Sequence, residues 1–363
     1  MFKLPMYKKP DFGREPFISS PDAVTERAGN GFLPHEFYAT TIFPEYFKIG
    51  GEWMLLEHSR MDCSVVIRDG KPRAVEMRNI REGDMVITGR TDDGSNGVYV
   101  QPDAFEYRVD DEDAEDGVFA FRLGKSRETS YSRDYDRLYE ILRHDREKGR
   151  IVWVLGPACV FDYDSRCAME SLIGGGYCHA LFAGNALASH DIEASLFNTG
   201  LGQDIYTKKH MKNGHYNHLH SINLVRESGS VKDFMAEYEV RDGVMCALVR
   251  NNIPFVLAGS IRDDGPLPDV IGNVYEAQDA MRALLKDATT VIALATQLHT
   301  IATGNMTPSY QVIGGEVRPV FFYVVDVSEF AVNKLQDRGS LSVSGIVANI
   351  QDFLVNLERN LIN

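Results

Sequence analysis

The sequence predicts an α/β protein, with a helix-covered parallel sheet in its C-terminal portion and a smaller β-rich domain before it. Three observations predict this class. From Arg150 onward, five continuous apolar runs alternate with helical patterns, at 151–155, 179–183, 254–258, 290–295 and 320–325. A strand that is apolar at every position is buried on both faces, and parallel strands need crossover helices between them. The first three runs meet Gly156, Gly184 and Gly259, and the last ends at Asp326; strand ends of this kind border the ligand crevices of open α/β sheets. Between Trp53 and Pro102 the apolar runs are instead short and β-prone, bounded by turn signals such as Arg68-Asp69-Gly70-Lys71 and Glu82-Gly83-Asp84.

Taken in order, residues 1–48 read as an irregular N-terminal arm, rich in Pro, Gly and aromatics and without a sustained period. Residues 49–109 form the small β-rich domain. Residues 110–149 hold an acidic run, Asp110-Asp111-Glu112-Asp113-Ala114-Glu115-Asp116, which reads as a solvated loop. A polar helix from Tyr131 to Lys148 follows it and leads into the sheet domain, 150–363. Helix candidates within that domain lie at 164–173, 188–198, 230–250, 274–287, 328–337 and 349–360.

Charge and composition narrow the function. The 38 Lys and Arg against 52 Asp and Glu leave a formal net charge of −14, which disfavours nucleic acid and anionic membranes as partners. No apolar run approaches the roughly 20 residues of a membrane span. The start Met1-Phe2-Lys3-Leu4-Pro5 lacks a signal-peptide core, so a cytoplasmic protein is expected. Cys63, Cys159, Cys167, Cys178 and Cys246 are scattered without a CxxC, so neither a disulfide framework nor a structural zinc is expected.

The polar residues near strand ends are the candidates for chemistry. Asp326 closes an apolar strand ahead of a helix, where an acid either accepts a ribose diol or caps the helix. A GxGxxG fingerprint is missing: 200–205 comes nearest, but it ends on Ile205 and no clear strand precedes it. The peptide N–H groups after Gly156, Gly184 and Gly259 are placed to meet phosphate at helix starts. His190, Asp191 and Glu193 form a polar cluster that reads either as a general base with carboxylates or as a helix-start capping network. His215, His218 and His220 are spaced too loosely for a metal site, and no metal is expected. The 258–269 stretch carries Arg262, Asp263, Asp264 and Asp269 directly after a buried strand. Arg262 there is either a carboxylate clamp or part of a salt-bridged loop.

Two strings in this region, Ala183-Gly184-Asn185-Ala186-Leu187-Ala188-Ser189-His190-Asp191-Ile192-Glu193 and 258–269, resemble the lysine-oxoglutarate reductase/saccharopine dehydrogenase (LOR/SDH) conserved-region family. That family includes an NAD-dependent ornithine cyclodeaminase. The likeness continues through Gly214-His215-Tyr216-Asn217-His218-Leu219, 294–299 with Gly304-Asn305, Val325-Asp326 and Asp337-Arg338-Gly339-Ser340. It also reaches Phe37-Tyr38-Ala39-Thr40-Thr41 and Met61-Asp62-Cys63, so nearly the whole chain is covered.

The resemblance implies a Rossmann-like domain of the deoxyhypusine synthase type, which explains the missing fingerprint. It implies NAD as cofactor, held by Gly184, Asn185, Gly259, Ser260, Gly304, Asn305 and Asp326. It assigns the chemistry to His190, Asp191, Arg262, Asp263 and Asp264, with Asp62 and Cys63 lent by the smaller domain. The implied reaction removes hydride at an amine-bearing carbon, loses ammonia on cyclisation and returns the hydride. A small amino acid is the expected partner, and a homo-oligomer the expected state. The chain departs from the family pattern at Ile42, Tyr99, His220 and the Phe161-Asp162-Tyr163 that replaces His-Thr-Gly, which makes ornithine itself an expected poor substrate. An opine-type or amino-acid dehydrogenase releasing NADH, and a non-catalytic NAD-binding protein, stay open as alternatives.

Overall fold

The computed structural model describes residues 3–106, 133–336 and 341–362; the acidic run at 110–116 and the 337–340 string lie outside them. The N-terminal part consists of short strands: β1 (Met6–Tyr7), β2 (Thr25–Arg27), β3 (Glu45–Ile49), β4 (Glu52–Leu55), β5 (Ser64–Arg68), β6 (Lys71–Val75), β7 (Met85–Ile87), β8 (Val98–Val100) and β9 (Phe105–Glu106). They pair as a four-stranded sheet β2-β7-β5-β6, a three-stranded sheet β4-β3-β8 and the pair β1-β9. Phe47, Leu56, Val65, Ile87 and Val98 are at most 1% exposed and form the core between them. The first 48 residues thus supply β1, β2 and the start of β3, where the sequence suggests an irregular arm. β1 and β2 are two and three residues long, too short for an alternating pattern to register.

The remainder of the described chain alternates strands and helices. It runs α1 (Arg133–Lys148), β10 (Ile151–Leu155), α2 (Tyr163–Gly174), β11 (Ala180–Gly184) and α3 (Asn185–Phe197). Next come the two-residue strands β12 (Thr199–Gly200) and β13 (Gln203–Asp204), then α4 (Gly214–Ser228), α5 (Val231–Glu237), α6 (Val244–Arg250), β14 (Phe255–Ala258), β15 (Val270–Ile271) and α7 (Val274–Leu285). The last segment holds β16 (Thr290–Leu294), α8 (Gln297–Met306), the hairpin β17 (Tyr310–Ile313) and β18 (Glu316–Pro319), β19 (Phe321–Asp326), α9 (Glu329–Gln336), β20 (Ser342–Val347) and α10 (Ile350–Leu361).

Seven of these strands form one parallel sheet in the order β15-β14-β11-β10-β16-β19-β20. Every residue of β10 is buried, and its side chains divide between two cores: Ile151, Trp153 and Leu155 face one helical layer, Val152 and Val154 the other. This explains the unbroken apolar runs. The α/β class expected from them is what the chain adopts, with the β-rich part ahead of it. Several elements escaped the sequence reading, among them the two-residue strands β12, β13 and β15, the β17–β18 hairpin, α4, α8 and β20. The His-rich start of α4 hides its period, α8 is short, and β20 is a half-buried edge strand. The 230–250 helix is two helices, parted where Glu239 and Gly243 take positive φ. No described helix is long and apolar enough to cross a membrane.

From β10 the chain builds outward through β11 and β14, and from β16 it builds the other way through β19 and β20. The order reverses between β10 and β16, so a crevice opens beyond their C-terminal ends. At the opposite end of the sheet, the fully buried Asp145 of α1 accepts both guanidinium nitrogens of Arg318, at 2.8 and 3.0 Å. It also accepts the hydroxyls of Thr289 and Thr290, at 2.7 and 2.8 Å. Burial opposes the charge on Asp145, but Arg318 and the hydroxyl donors outweigh it and hold the carboxyl below its ordinary range. Asp145→Ala leaves Arg318 buried and unpaired, so a stability loss of about 3–5 kcal/mol is expected in denaturant unfolding. A loss below about 1 kcal/mol would mean that this network does not anchor α1 to the sheet.

Candidate active site

At the strand ends the backbones approach closely. Gly156 donates its N–H to Leu294 O at 2.8 Å, and a Cβ at this position would lie 2.0 Å from the Ala295 carbonyl oxygen. Only glycine allows the two halves of the sheet to meet this closely. Gly184 and Gly259 sit against His299 and the Ile271 carbonyl, where a Cβ would come within 3.3 and 3.0 Å. Gly184 is also the N-cap of α3, so the unpaired N–H groups and positive dipole end of that helix open at the strand ends. Across the switch point, the half-buried Asp326 ends β19; its Oδ1 accepts the Ser328 N–H at 2.9 Å. The other oxygen has no partner among the described residues.

The loop after β14 is pinned at its ends and open at its tip. Asn185 Oδ1 accepts the Leu267 N–H at 3.0 Å, Asp269 caps α5 by accepting the Val231 N–H at 2.8 Å, and Asp263 accepts the Ser260 N–H at 2.8 Å. Ile261, Arg262 and Asp264 are exposed between these anchors, and Arg262 makes no ion pair among the described residues. A guanidinium on such a tip is available to a ligand carboxylate.

Behind the turn that follows β10 lies the densest polar cluster. His190, on the second turn of α3, is only 6% exposed and places Nδ1 3.0 Å from Glu193 Oε2. Glu193 is fully buried and also accepts the Thr199 hydroxyl at 2.8 Å and the Gly202 N–H at 3.2 Å. Burial opposes its charge, but the His190, Thr199 and Gly202 donors, with His218 Nδ1 3.7 Å away, outweigh burial and pull the carboxyl down to about 2. A carboxylate only accepts, so His190 carries its proton on Nδ1 and keeps Nε2 as the basic nitrogen. The Phe161 ring stands edge-on to His190, with centroids 4.9 Å apart.

His218 of α4 completes the cluster from the other side. One ligand atom each from His190, Glu193 and His218 lie within 4.8 Å of one another. The two imidazole planes are inclined by only 24° with centroids 4.5 Å apart. The three groups are close enough to share a proton or a cation. The arrangement suits proton handling. His215 and His220 do not join it; His220 is exposed against Phe197.

Several residues singled out in the sequence are committed elsewhere. Asp191 is fully buried in an ion pair with Arg166 at 2.8 Å and accepts the N–H groups of Val244 and Met245, so it fixes α3 to α2 and α6. Gly304 and Asn305 lie in the last turn of α8, about 12 Å along the helix from its start at the strand end. Cys63 is buried in the small domain and its thiol is pushed up to about 11, chiefly by burial, so it is not a thiolate at neutral pH. The charges of Arg60, Glu76, Arg282 and Asp62 act on the thiol, which places Cys63 near Arg282 of α7. Of the family departures, Tyr99 is in an aromatic cluster with Phe12, Phe17 and Tyr46, and Asp162 caps α2 and pairs with Lys208. Phe161 alone among these touches the polar cluster.

A family described as arginine dihydrolase ArgZ-like, C-terminal, Rossmann fold, matches residues 137–357, and its companion first region matches 44–127. The ornithine cyclodeaminase of Methanopyrus kandleri is 38% identical over 353 residues, covering 96% of this chain and 81% of that protein. The chain belongs to the ArgZ-like C-terminal family. Among solved relatives of this ArgZ-like chain, a conserved LOR/SDH protein from Methanococcus maripaludis S2 superposes with a TM-score of 0.82 at 34% identity, covering 94% of this chain and 98% of that one. The ternary complex of AgrE with ornithine and NAD+ superposes at 0.57 with 32% identity, over 94% of this chain and 46% of that one. AgrE is the bifunctional arginine dihydrolase/ornithine cyclodeaminase of Nostoc sp. PCC 7120. The ArgZ-like chain is thus an ornithine cyclodeaminase-like enzyme with a Rossmann fold.

Two members of the polar cluster are weakly signalled in the sequence. Glu193 stands three residues after His190, the spacing of helical neighbours. His218 has no local signal, because it arrives from another helix. The depressed carboxyl of Glu193 sets a pH dependence. Its stabilising contribution is fully present above the ordinary carboxyl value near 4.5 and is lost as pH falls toward 2. Glu193→Gln is expected to be about 1–3 kcal/mol less stable than wild type at pH 7. In denaturant unfolding at a series of pH values, that gap should narrow below about pH 4.5; a gap independent of pH contradicts the charged network.

Proposed function

We propose that this protein is an NAD-dependent cyclodeaminase of a small amino acid, which takes hydride from an amine-bearing carbon and gives it back within one turnover. The observation that carries this reading is the strand-order reversal between β10 and β16, with the start of α3 on one flank and Asp326 on the other. The start of α3, with Gly184 as its N-cap, presents backbone N–H groups to a phosphate at the crevice there. AgrE, which shares the fold, has been crystallised with ornithine and NAD+.

The sheet suggests how the cofactor lies. In dinucleotide folds of this order, the acid that holds the adenosine ribose follows the second strand of a half. In the first half that strand is β11, which ends at Gly184 without an acid; in the second it is β19, which ends at Asp326. Asp326 therefore holds the adenosine ribose, with Gly259 and Ser260 beside the crevice, and the nicotinamide end points toward α3. Bound NAD supplies reversible hydride acceptance at the substrate carbon.

The chain's own groups do the rest. Arg262 and its neighbours Asp263 and Asp264 close over the substrate, with Arg262 on its carboxylate. His190 takes the amine proton at Nε2, and Glu193 keeps the imidazole in the tautomer that permits this. Phe161 puts an apolar ring beside that base where the family pattern has a histidine, so the preferred amino acid differs from ornithine at the end that meets it.

Two outcomes are expected. Asp326→Ala should weaken NAD binding by about 1–3 kcal/mol in calorimetry without lowering stability; unchanged affinity removes Asp326 from the site. With α-deuterated amino acids, ornithine included, deuterium should return to the cyclised product while free NADH stays flat by absorbance. Stoichiometric NADH release would instead establish a dehydrogenase, and fast conversion of ornithine would remove the role given to Phe161.

A further inference from the structure

We infer that the small domain carries a second binding site, for a small multivalent oxyanion, in a cavity of about 500 Å³ lined by Arg68, Glu76, Arg78, Asn79 and Arg81. The volume is in the range of small-molecule sites. The cavity lies over the one-turn helix Met77–Asn79 that follows β6.

The charge around it is locally inverted. Arg60 and Arg282 both pair with Glu76, the latter at 2.7 Å, while Arg78 and Arg282 share Asp279 at 2.5 and 2.8 Å. Arg68 pairs with Asp84 at 2.7 Å. Arg81 is exposed; its guanidinium makes no hydrogen bond or ion pair within 4 Å among the described residues, and its charge acts on Asp84 only at longer range. Five arginines thus surround three carboxylates in a chain whose net charge is −14. Glu76, the acid on the cavity wall, is already neutralised by two guanidinium groups. Its carboxyl is drawn down to about 2 against the opposing effect of burial. Arg282 is crowded in turn: burial first, then the nearby Arg60 and Arg78, act against its charge.

Guanidinium groups that crowd one another beside an open cavity favour an entering anion, and planar forks suit carboxylate and phosphate oxygens in pairs. Arg81 is the free fork. Arg78 joins the cavity to α7 through Asp279 and lies over the Tyr275 ring, 5.3 Å from its centroid. An anion held there therefore also braces the small domain against the sheet domain.

The test is calorimetric titration of the full chain, with excess NAD to occupy the crevice, using inorganic pyrophosphate and, separately, citrate. At least one of them should bind with one-to-one stoichiometry, and the tighter of the two tells whether phosphate or carboxylate chemistry is preferred. Arg81→Glu and Arg81→Ala should weaken that binding roughly tenfold or more, while the Tm without anion stays that of wild type. Absence of binding by both anions, or binding that Arg81→Glu leaves unchanged, overturns the site.

Discussion

Everything at the functional end of this molecule depends on how closely β10 and β16 approach where the strand order reverses. The Gly156 Cα hydrogens face the Ala295 carbonyl, with no room for even one methyl group, and the next residues diverge from there into separate halves. Parallel pairing brings β10 and β16 into register along five residues. Strand twist then turns their ends apart and leaves a crevice between them. On the proposed reading the chemistry comes from the flanks, from α3 and the β14 loop on one side and from Asp326 on the other.

The flanks are held by buried charge rather than by apolar packing alone. Arg166 and Asp191 join α2, α3 and α6 in an ion pair that is nearly inaccessible to water. Breaking either partner would strand a charge, so the position of α3, and with it His190 and Glu193, is strongly specified. Glu193 in turn binds the turn at Thr199–Gly202, which carries the chain toward α4 and His218. One carboxylate orders the imidazole, and another fixes the helix on which that imidazole sits. They stand two residues apart in sequence and do unrelated jobs.

That pair marks the limit of what was legible. The five central strands could be read because continuous burial leaves an unbroken apolar run, and the glycines after three of them mark the edge proposed to hold the site. His190 with Glu193 was visible as a helical i, i+3 pair. Asp191 looked equally chemical, because its partner Arg166 lies 25 residues earlier and nothing local signals the contact. Gly304 and Asn305 belong to a string shared with a family, yet the helix carries them away from the edge where β16 ends. His218 and the cationic cavity over Met77–Asn79 are built from segments far apart in the chain. They become visible only when the fold assembles them.

The account's central claim is the direction in which NAD crosses the sheet. A crystal structure of the protein soaked with NAD tests it most directly. The account predicts the adenosine ribose hydroxyls on the Asp326 carboxylate at the end of β19 and the nicotinamide ring on the α3 side, within reach of His190. An adenosine ribose at the end of β11, beside Gly184 and with Asp326 facing solvent, would contradict it.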